Sequence, residues 1–420
     1  MRILWITNNL LPDICEYLGL PVVVKTGWLH SAANQIKSEL ELSVAALYSG
    51  DKLRFIKLNG INYILVPSRG NNKKLDKNLI PLWQAVRKQV NPSVVHIHGT
   101  EYPTGLLYIM ACGSKGVVIS IQGLVSECKK YYNSGLCDRD ILRFTTFRDL
   151  IRGETLWKQA GQFFRQGKYE LEYICRVKHF IGRTAWDEAH ILANNKTATY
   201  YLNNETLRSI FYTQEWSLEK VTKYTIFFSQ ATYPLKGLHR LLAAMPIILE
   251  YFPETRIIVA GFDLTKACSS SFKGRFRGTT YGFYLSSLIC KYNLKRHIRF
   301  VGQQSEKDIC NLYLNSHVYV NASALENSSN SIGEAQLLGI PVVASFVGGT
   351  DTMVENNKTG LLYPLDDTVR LAFCVIRLFG DDTLALRLSE NGKKQARMRH
   401  DRELNKIKLL KIYKEISDLN

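Results

Sequence analysis

The 420-residue chain predicts an α/β protein built from two successive doubly wound parallel sheets. Three observations carry that prediction. Short, uninterrupted apolar runs such as 94–98 (VVHIH) and 340–344 (IPVVA) have the hydrophobicity of strands covered on both faces. Between them lie stretches with apolar residues at helical spacing, for example Leu29, Ala32, Ala33, Ile36 and Leu40, and strands alternating with helices indicate a parallel sheet. The length suits about two domains.

In chain order, residues 2–7 predict the first strand and 8–24 a loop. Gly27-Trp28 opens an amphipathic helix. Strands follow at 43–48, 54–58 and 62–66, a helix at 75–89, a strand at 94–98, a helix at 104–112 and a strand at 117–122. The sheet resumes at 177–181, followed by a helix at 185–192 and a linker at 213–223. A second series then runs strand 225–229, helix 237–251, strand 256–260, helix 281–292, strand 298–301, helix 306–314 and strand 318–321. A glycine turn, a strand at 360–363 and helices to the C-terminus complete it. The expected division is a first Rossmann-like domain over 1–215, a second over 222–395, and a terminal helix over 396–420 that closes the second or crosses back to the first. The two domains are expected to face a cleft.

A hydrophobic content of 46% with 22% charged residues is that of a globular protein. No apolar run reaches the roughly 18 residues of a membrane helix. The N-terminal run is also too short for a signal peptide. Nine scattered cysteines without a Cys-x-x-Cys pair argue for a reducing cytoplasm and against a zinc module. The formal charge of +17 points to an anionic partner: nucleic acid, an anionic membrane or a phosphorylated substrate. Zinc-finger, RNP and basic-zipper patterns are absent, which weakens the nucleic-acid reading.

Residues 138–176 interleave cations with Ile141, Leu142, Phe147, Leu150, Ile151, Trp157 and Phe164. One reading is a helical pair packed on the sheet with a solvated basic face. The other is contact with a membrane surface through Arg143, Arg148 and Arg152. Asp138-Arg-Asp140 does not end an apolar strand, so it reads as a helix start rather than a metal site, and no metal or other cofactor is expected.

The richest stretch is 324–350, ALENSSNSIGEAQLLGIPVVASFVGGT. Asn327, Ser328, Ser329 and Asn330 are N-cap types, and Ile332, Ala335, Leu337 and Leu338 give an apolar helix face. Gly339 and Pro341 end the helix. The first amides of such a helix, at Asn330, Ser331, Ile332 and Gly333, suit a phosphate. Glu326 and Glu334 flank it. On one helix they would be separated by about 12 Å of rise, too far for a paired hydrolytic acid and base. Glu334 suits ribose hydroxyls and Glu326 those of a sugar. Lys236, in Pro234-Leu-Lys-Gly237, is a point charge set after a strand and just before a helix.

Residues 323–335, Gly348-Gly349, 357–364 and the Lys236-Gly237 pair together resemble the donor-site signature of family 4 retaining glycosyltransferases. The similarity is strongest over 229–364 and looser over the first 200 residues, where it includes the glycine turn at Gly27-Trp28. The resemblance implies the GT-B fold of two facing Rossmann-like domains and a nucleotide-diphosphate sugar as donor. It places Glu334 on ribose, Glu326 on the transferred sugar and Lys236 on the diphosphate. Two positions depart from the family's pattern. The arginine usual about five residues before the lysine is absent from 229–233 (SQATY), and Arg183, after a first-domain strand, is the candidate replacement. Where many relatives have a strand-end histidine this chain has Gln122, which hydrogen-bonds but cannot act as a base. His98, ending the 94–98 strand, is a second candidate near the acceptor.

The resemblance implies sugar transfer with retention, by front-face attack and without metal. The acceptor would be a glycan or lipid-diphosphate-linked glycan bound near Gly27, His98 and Gln122. The implied setting is bacterial capsule, exopolysaccharide or lipopolysaccharide synthesis in the cytoplasm, at the inner face of the plasma membrane. The competing readings are a non-catalytic basic nucleic-acid-binding protein and a GT-B epimerase or phosphorylase.

Overall fold

A computed structural model describes residues 1–21, 27–68, 74–268 and 272–419. The end of the loop expected at 8–24 falls outside the described residues. The chain divides into two compact units: one of Met1–Glu127, Phe164–Arg208 and His400–Asn420, the other of Cys128–Phe163 and Ser209–Arg399.

The first unit holds eight strands: β1 (Arg2–Thr7), β2 (Glu41–Tyr48), β3 (Arg54–Leu58), β4 (Ile61–Pro67), β5 (Val94–His98), β6 (Val117–Ser120), β7 (His179–Gly182) and β8 (Thr199–Leu202). Their order is β3-β4-β2-β1-β5-β6-β7-β8. All neighbours are parallel except β3 and β4. That edge hairpin turns on Asn59-Gly60, both at positive φ, the backbone that a two-residue hairpin loop requires. β5 and β7 are buried along their whole length, as apolar runs covered on both faces should be. The helix Arg402–Asp418 belongs to this unit. It buries Tyr413, whose hydroxyl accepts from Trp5 Nε1 at 2.8 Å and meets His96 Nδ1 at 2.6 Å.

The second unit holds β9 (Thr222–Phe228), β10 (Arg256–Val259), β11 (Ile298–Phe300), β12 (Ser316–Asn321), β13 (Val342–Ser345) and β14 (Leu361–Tyr363). The order is β11-β10-β9-β12-β13-β14, all parallel. The chain winds outward from β9 in one direction and, starting at β12, in the other. The doubly wound switch point therefore lies between β9 and β12, where ligands bind open α/β sheets.

Two expectations need correction. The segment 138–163 groups with the second unit and not the first: its Ile141 and Leu156 join the second unit's hydrophobic core. The buried Asp149 carboxylate accepts from the amide and hydroxyl of Thr280, both at 2.7 Å, and Ser134 O accepts from Arg240 Nη2 at 2.7 Å. A free linker at 213–223 is not found either. Trp216 is buried, and its Nε1 donates to Ser316 O at 2.8 Å.

Candidate functional site

At the β9–β12 switch point, two loops are locked together through the backbone. The turn Pro234–Lys236 after β9 ends at Gly237, whose φ is +76°. A Cβ there would lie 1.9 Å from Ala322 O, so only glycine lets the turn approach the loop after β12. Ala324 N donates to Leu235 O at 2.7 Å, closing the contact. Gly348 does the same from the other side: its φ is +52°, a Cβ would fall 2.0 Å from Glu326 O, and Gly349 N donates to that oxygen at 3.0 Å. Both glycine motifs thus fix where Lys236 and Glu326 stand.

The two side chains meet. Lys236 Nζ donates to Glu326 Oε1 at 2.6 Å, and Ser323 Oγ donates to the same oxygen at 2.7 Å. Burial alone would favour the neutral amine, but the Glu326 carboxylate outweighs it and holds the Lys236 ammonium above the ordinary lysine value. A small pocket lies around them, lined by Ser229, Gln230, Tyr319, Asn321, Ser323 and Ser331 with the ion pair itself. Ser229 Oγ and Tyr319 Oη are 2.9 Å apart. Asn321 Oδ1 accepts from Ser323 N at 3.1 Å.

The helix Asn330–Leu338 points its N-terminus at this pocket through Ser331 and ends at Gly339 in the left-handed region. Ile332 and Gly333 both direct their amides to Ser329 O at 3.1 Å. Of the four amides expected to receive a phosphate, those of Asn330 and Ser331 are therefore the ones a helix leaves without an intrahelical acceptor. Glu334 is buried one turn further along, on the same face as Ser331. Glu326 lies in the loop, off the helix.

The first-unit candidates fall into two groups. Arg183, beyond β7, is buried and engaged within its own unit. It forms an ion pair with Glu205 at 2.8 Å, and its Nη2 donates to Ile121 O at 3.1 Å and Gln122 O at 2.7 Å. This is the geometry of a structural ion pair and does not support Arg183 as the substitute phosphate cation. Gln122 is drawn into the same network, its Oε1 3.4 Å from Arg183 Nη2. Gly27 begins the helix Gly27–Ile36, where, among the described residues, a Cβ would meet Arg208 at 3.9 Å. His98 ends β5, 7% exposed, and among the described residues neither ring nitrogen has a hydrogen-bond partner. Burial, and then His96, hold it neutral with a pKa well below the ordinary histidine value.

Sequence reasoning passed over Asn8 and Glu101. They follow β1 and β5, the pair at which the first sheet reverses its winding. Asn8 Nδ2 donates to His98 O at 3.3 Å and Glu101 Oε2 at 3.2 Å. Burial, then Glu170 and Glu205 against the opposing Arg183, push the Glu101 carboxyl up to about 7. Only the strand order marks these positions, and composition gives no sign of it. Among the described residues no three His, Cys, Asp or Glu side chains cluster as a metal site would require. Asp138 and Asp140 do open a helix.

Two α/β units, each built on a sheet that is parallel apart from the β3 edge strand, define the GT-B class of fold. Comparison with solved structures agrees over the whole chain. Sucrose-phosphate synthase from Thermosynechococcus elongatus superposes with a TM-score of 0.72 at 15% identity, covering 100% of both chains. Alr3699/HepE of Anabaena gives 0.67 at 15% identity, covering 99% of this chain and 100% of that one. Residues 213–395 match the model of the family described as Glycosyl transferases group 1. The YtcC protein of Bacillus subtilis strain 168 is 28% identical over 256 residues, 57% of this chain and 60% of that protein. The chain spans about half the length of the curated relatives it matches.

Proposed function

We propose that the protein transfers a sugar from a nucleotide-diphosphate donor to a hydroxyl acceptor, with retention at the anomeric carbon and without a metal. The observation that carries this reading is the Lys236–Glu326 pair beside the N-terminus of the Asn330–Leu338 helix, at the switch point of the second sheet. The Lys236 ammonium and the Asn330 and Ser331 amides form a cradle for a diphosphate. Glu334, one turn further on, takes the ribose hydroxyls, and Glu326 takes hydroxyls of the sugar. As the bond to the anomeric carbon breaks, negative charge grows on the phosphate oxygen beside Lys236. That oxygen then accepts the acceptor's proton, so Gln122, which cannot act as a base, is no obstacle.

Alr3699/HepE has been solved with UDP and glucose, which makes UDP-sugars the first donors to test. Turnover of the accepted nucleotide sugar should fall by at least about a hundredfold in Lys236→Ala and in Glu334→Ala, with the melting curve showing a folded protein. Near-normal turnover in both would sink the assignment.

The acceptor is proposed to be a glycan or lipid-diphosphate-linked glycan of the bacterial envelope, bound on the first unit near His98 and handled at an anionic membrane surface. Support for the surface comes from the 138–158 stretch, where Leu142 is 65% and Ile151 74% exposed beside the exposed Arg139, Arg143 and Arg152. No described helix is long and apolar enough to cross a membrane.

A further inference from the structure

Two groups assigned to different parts of the donor are bound to each other in the structure. Lys236 Nζ lies 2.6 Å from Glu326 Oε1, and the two side chains are 20% and 12% exposed. The pocket around them measures about 10 Å³, the space of about one water. With the pair closed, a diphosphate has no room there. Among the described residues that line the pocket, Lys236 is the one cation and Glu326 the one anion. Their formal charges cancel, so an arriving phosphate meets no unpaired positive charge. The loops that carry the pair are pinned, since Ala324 N donates to Leu235 O at 2.7 Å and Gly349 N to Glu326 O at 3.0 Å. Opening must therefore come from the side chains, and lysine's flexible four-carbon stem permits it.

One ammonium holds two anions only by bringing them within about 6 Å of each other, where like charges oppose one another. A phosphate thus competes with Glu326 for Lys236. When the phosphate wins, the carboxylate is left in a largely buried place without a cation, a costly state for a charge. Ser323 Oγ, at 2.7 Å, continues to donate to it, but one neutral hydroxyl does not replace an ammonium. The sugar of an intact donor relieves the cost, because several hydroxyls of one ring can donate charge-assisted hydrogen bonds to a carboxylate. A nucleoside diphosphate carries no sugar beyond its phosphates and leaves the carboxylate unpaired.

We propose that Glu326 discriminates the intact nucleotide sugar from the nucleoside diphosphate it becomes. Lys236 exchanges Glu326 for the diphosphate when a sugar takes the lysine's place on the carboxylate. Once the sugar has been transferred, the ion pair re-forms and expels the product. The exchange rests on the glycosyltransferase reading of this site and adds to it a selectivity and a release step.

The test is isothermal titration calorimetry on the full chain with three matched pairs of probes: UDP-glucose and UDP, GDP-mannose and GDP, ADP-glucose and ADP. For the pair that binds, the wild type should hold the nucleotide sugar at least about tenfold more tightly than the diphosphate, a modest effect for one partly buried charge left unpaired. Glu326→Gln keeps the size of the side chain and an acceptor oxygen for Lys236 and Ser323 but removes the charge. It should bind the diphosphate about tenfold more tightly than the wild type does and lose most of the preference for the nucleotide sugar. A melting curve checks that the variant is folded, and Glu326→Ala should shift the diphosphate in the same direction. A purely structural role for Glu326 would instead weaken both ligands together. A wild type that binds both members of the pair equally, or variants that bind the diphosphate no more tightly than the wild type, overturns the exchange. If either result is found while the nucleotide sugar binds the wild type and not Lys236→Ala, the donor site stands without the exchange. If no probe binds the wild type, the donor site and the exchange fall together.

Discussion

Lys236 and Glu326 are 90 positions apart in the chain and 2.6 Å apart in the fold. The motif resemblance singled out each of them, but nothing in the local sequence pairs them. The pairing depends on Gly237 and Gly348 letting two loops approach within backbone hydrogen-bonding range. The helix that carries Ser331 and Glu334 was legible because N-cap residue types precede an apolar face at helical spacing. Arg183 was not: a cation after a strand looks the same in sequence whether it meets a ligand or a buried carboxylate, and Glu205 decides the matter here. Glu101 was invisible for a related reason, since its importance comes from strand order. Its carboxyl, raised from an ordinary 4.5 to about 7, makes a prediction at this scale. A raised carboxyl pKa means the folded state holds its proton more tightly than the unfolded chain. Its contribution to stability is therefore full below about pH 4.5 and is lost as pH rises through about 7. A tenfold difference in proton affinity between the two states is worth about 1.4 kcal/mol. Glu101→Gln mimics the protonated form, so it should melt above the wild type at about pH 8 and level with it near pH 4.5. A melting temperature below the wild type's at the higher pH would contradict the raised pKa of this carboxyl.

Among elements, the periodic helices and the doubly covered strands were read closely, as β5 and the helices Thr104–Cys112 and Glu306–Leu314 show. The losses were short pieces. The helix Pro12–Tyr17 lies inside an expected loop, and β8 is a four-residue partly exposed edge strand; neither is long enough to display a period. The 138–176 region was recognised as helical and basic, but periodicity reveals an apolar face without revealing what covers it. Ile141 and Leu156 face the second unit's core, whereas Leu142, Leu150 and Ile151 remain exposed. Arg148, one of the three cations first assigned to a membrane, is engaged with Asp149 and Glu154, both at 2.8 Å. Arg139, Arg143 and Arg152 are exposed. The protein should sediment with phosphatidylglycerol vesicles and not with phosphatidylcholine. That sedimentation should drop severalfold in Arg143→Glu/Arg152→Glu and again when Ile151→Asp is added. Equal sedimentation of all three proteins would make the stretch purely structural.

The whole chain is more nested than a two-domain sequence reading implied. A boundary between 215 and 222 and a terminal helix over 396–420 that closes the second domain or crosses back were expected; the compact units place His400–Asn420 with the first and, beyond anything expected, Cys128–Phe163 with the second. Sequence order shows how many sheets there are and the order of their strands along the chain. It does not show which sheet an inserted helical segment will cover, because both present apolar faces of the same kind. The donor reading survives this nesting, since every residue assigned to the diphosphate, ribose and sugar comes from the continuous run Ser209–Arg399. The most direct measurement is a thermal shift of the full chain against a panel of nucleotide-diphosphate sugars, beginning with UDP-glucose, because a ligand of the native state raises its melting temperature. A concentration-dependent rise is predicted with at least one nucleotide sugar, absent in Lys236→Ala and in Glu334→Ala. No rise with any member of the panel, or an equal rise in both variants, would contradict the donor site described here.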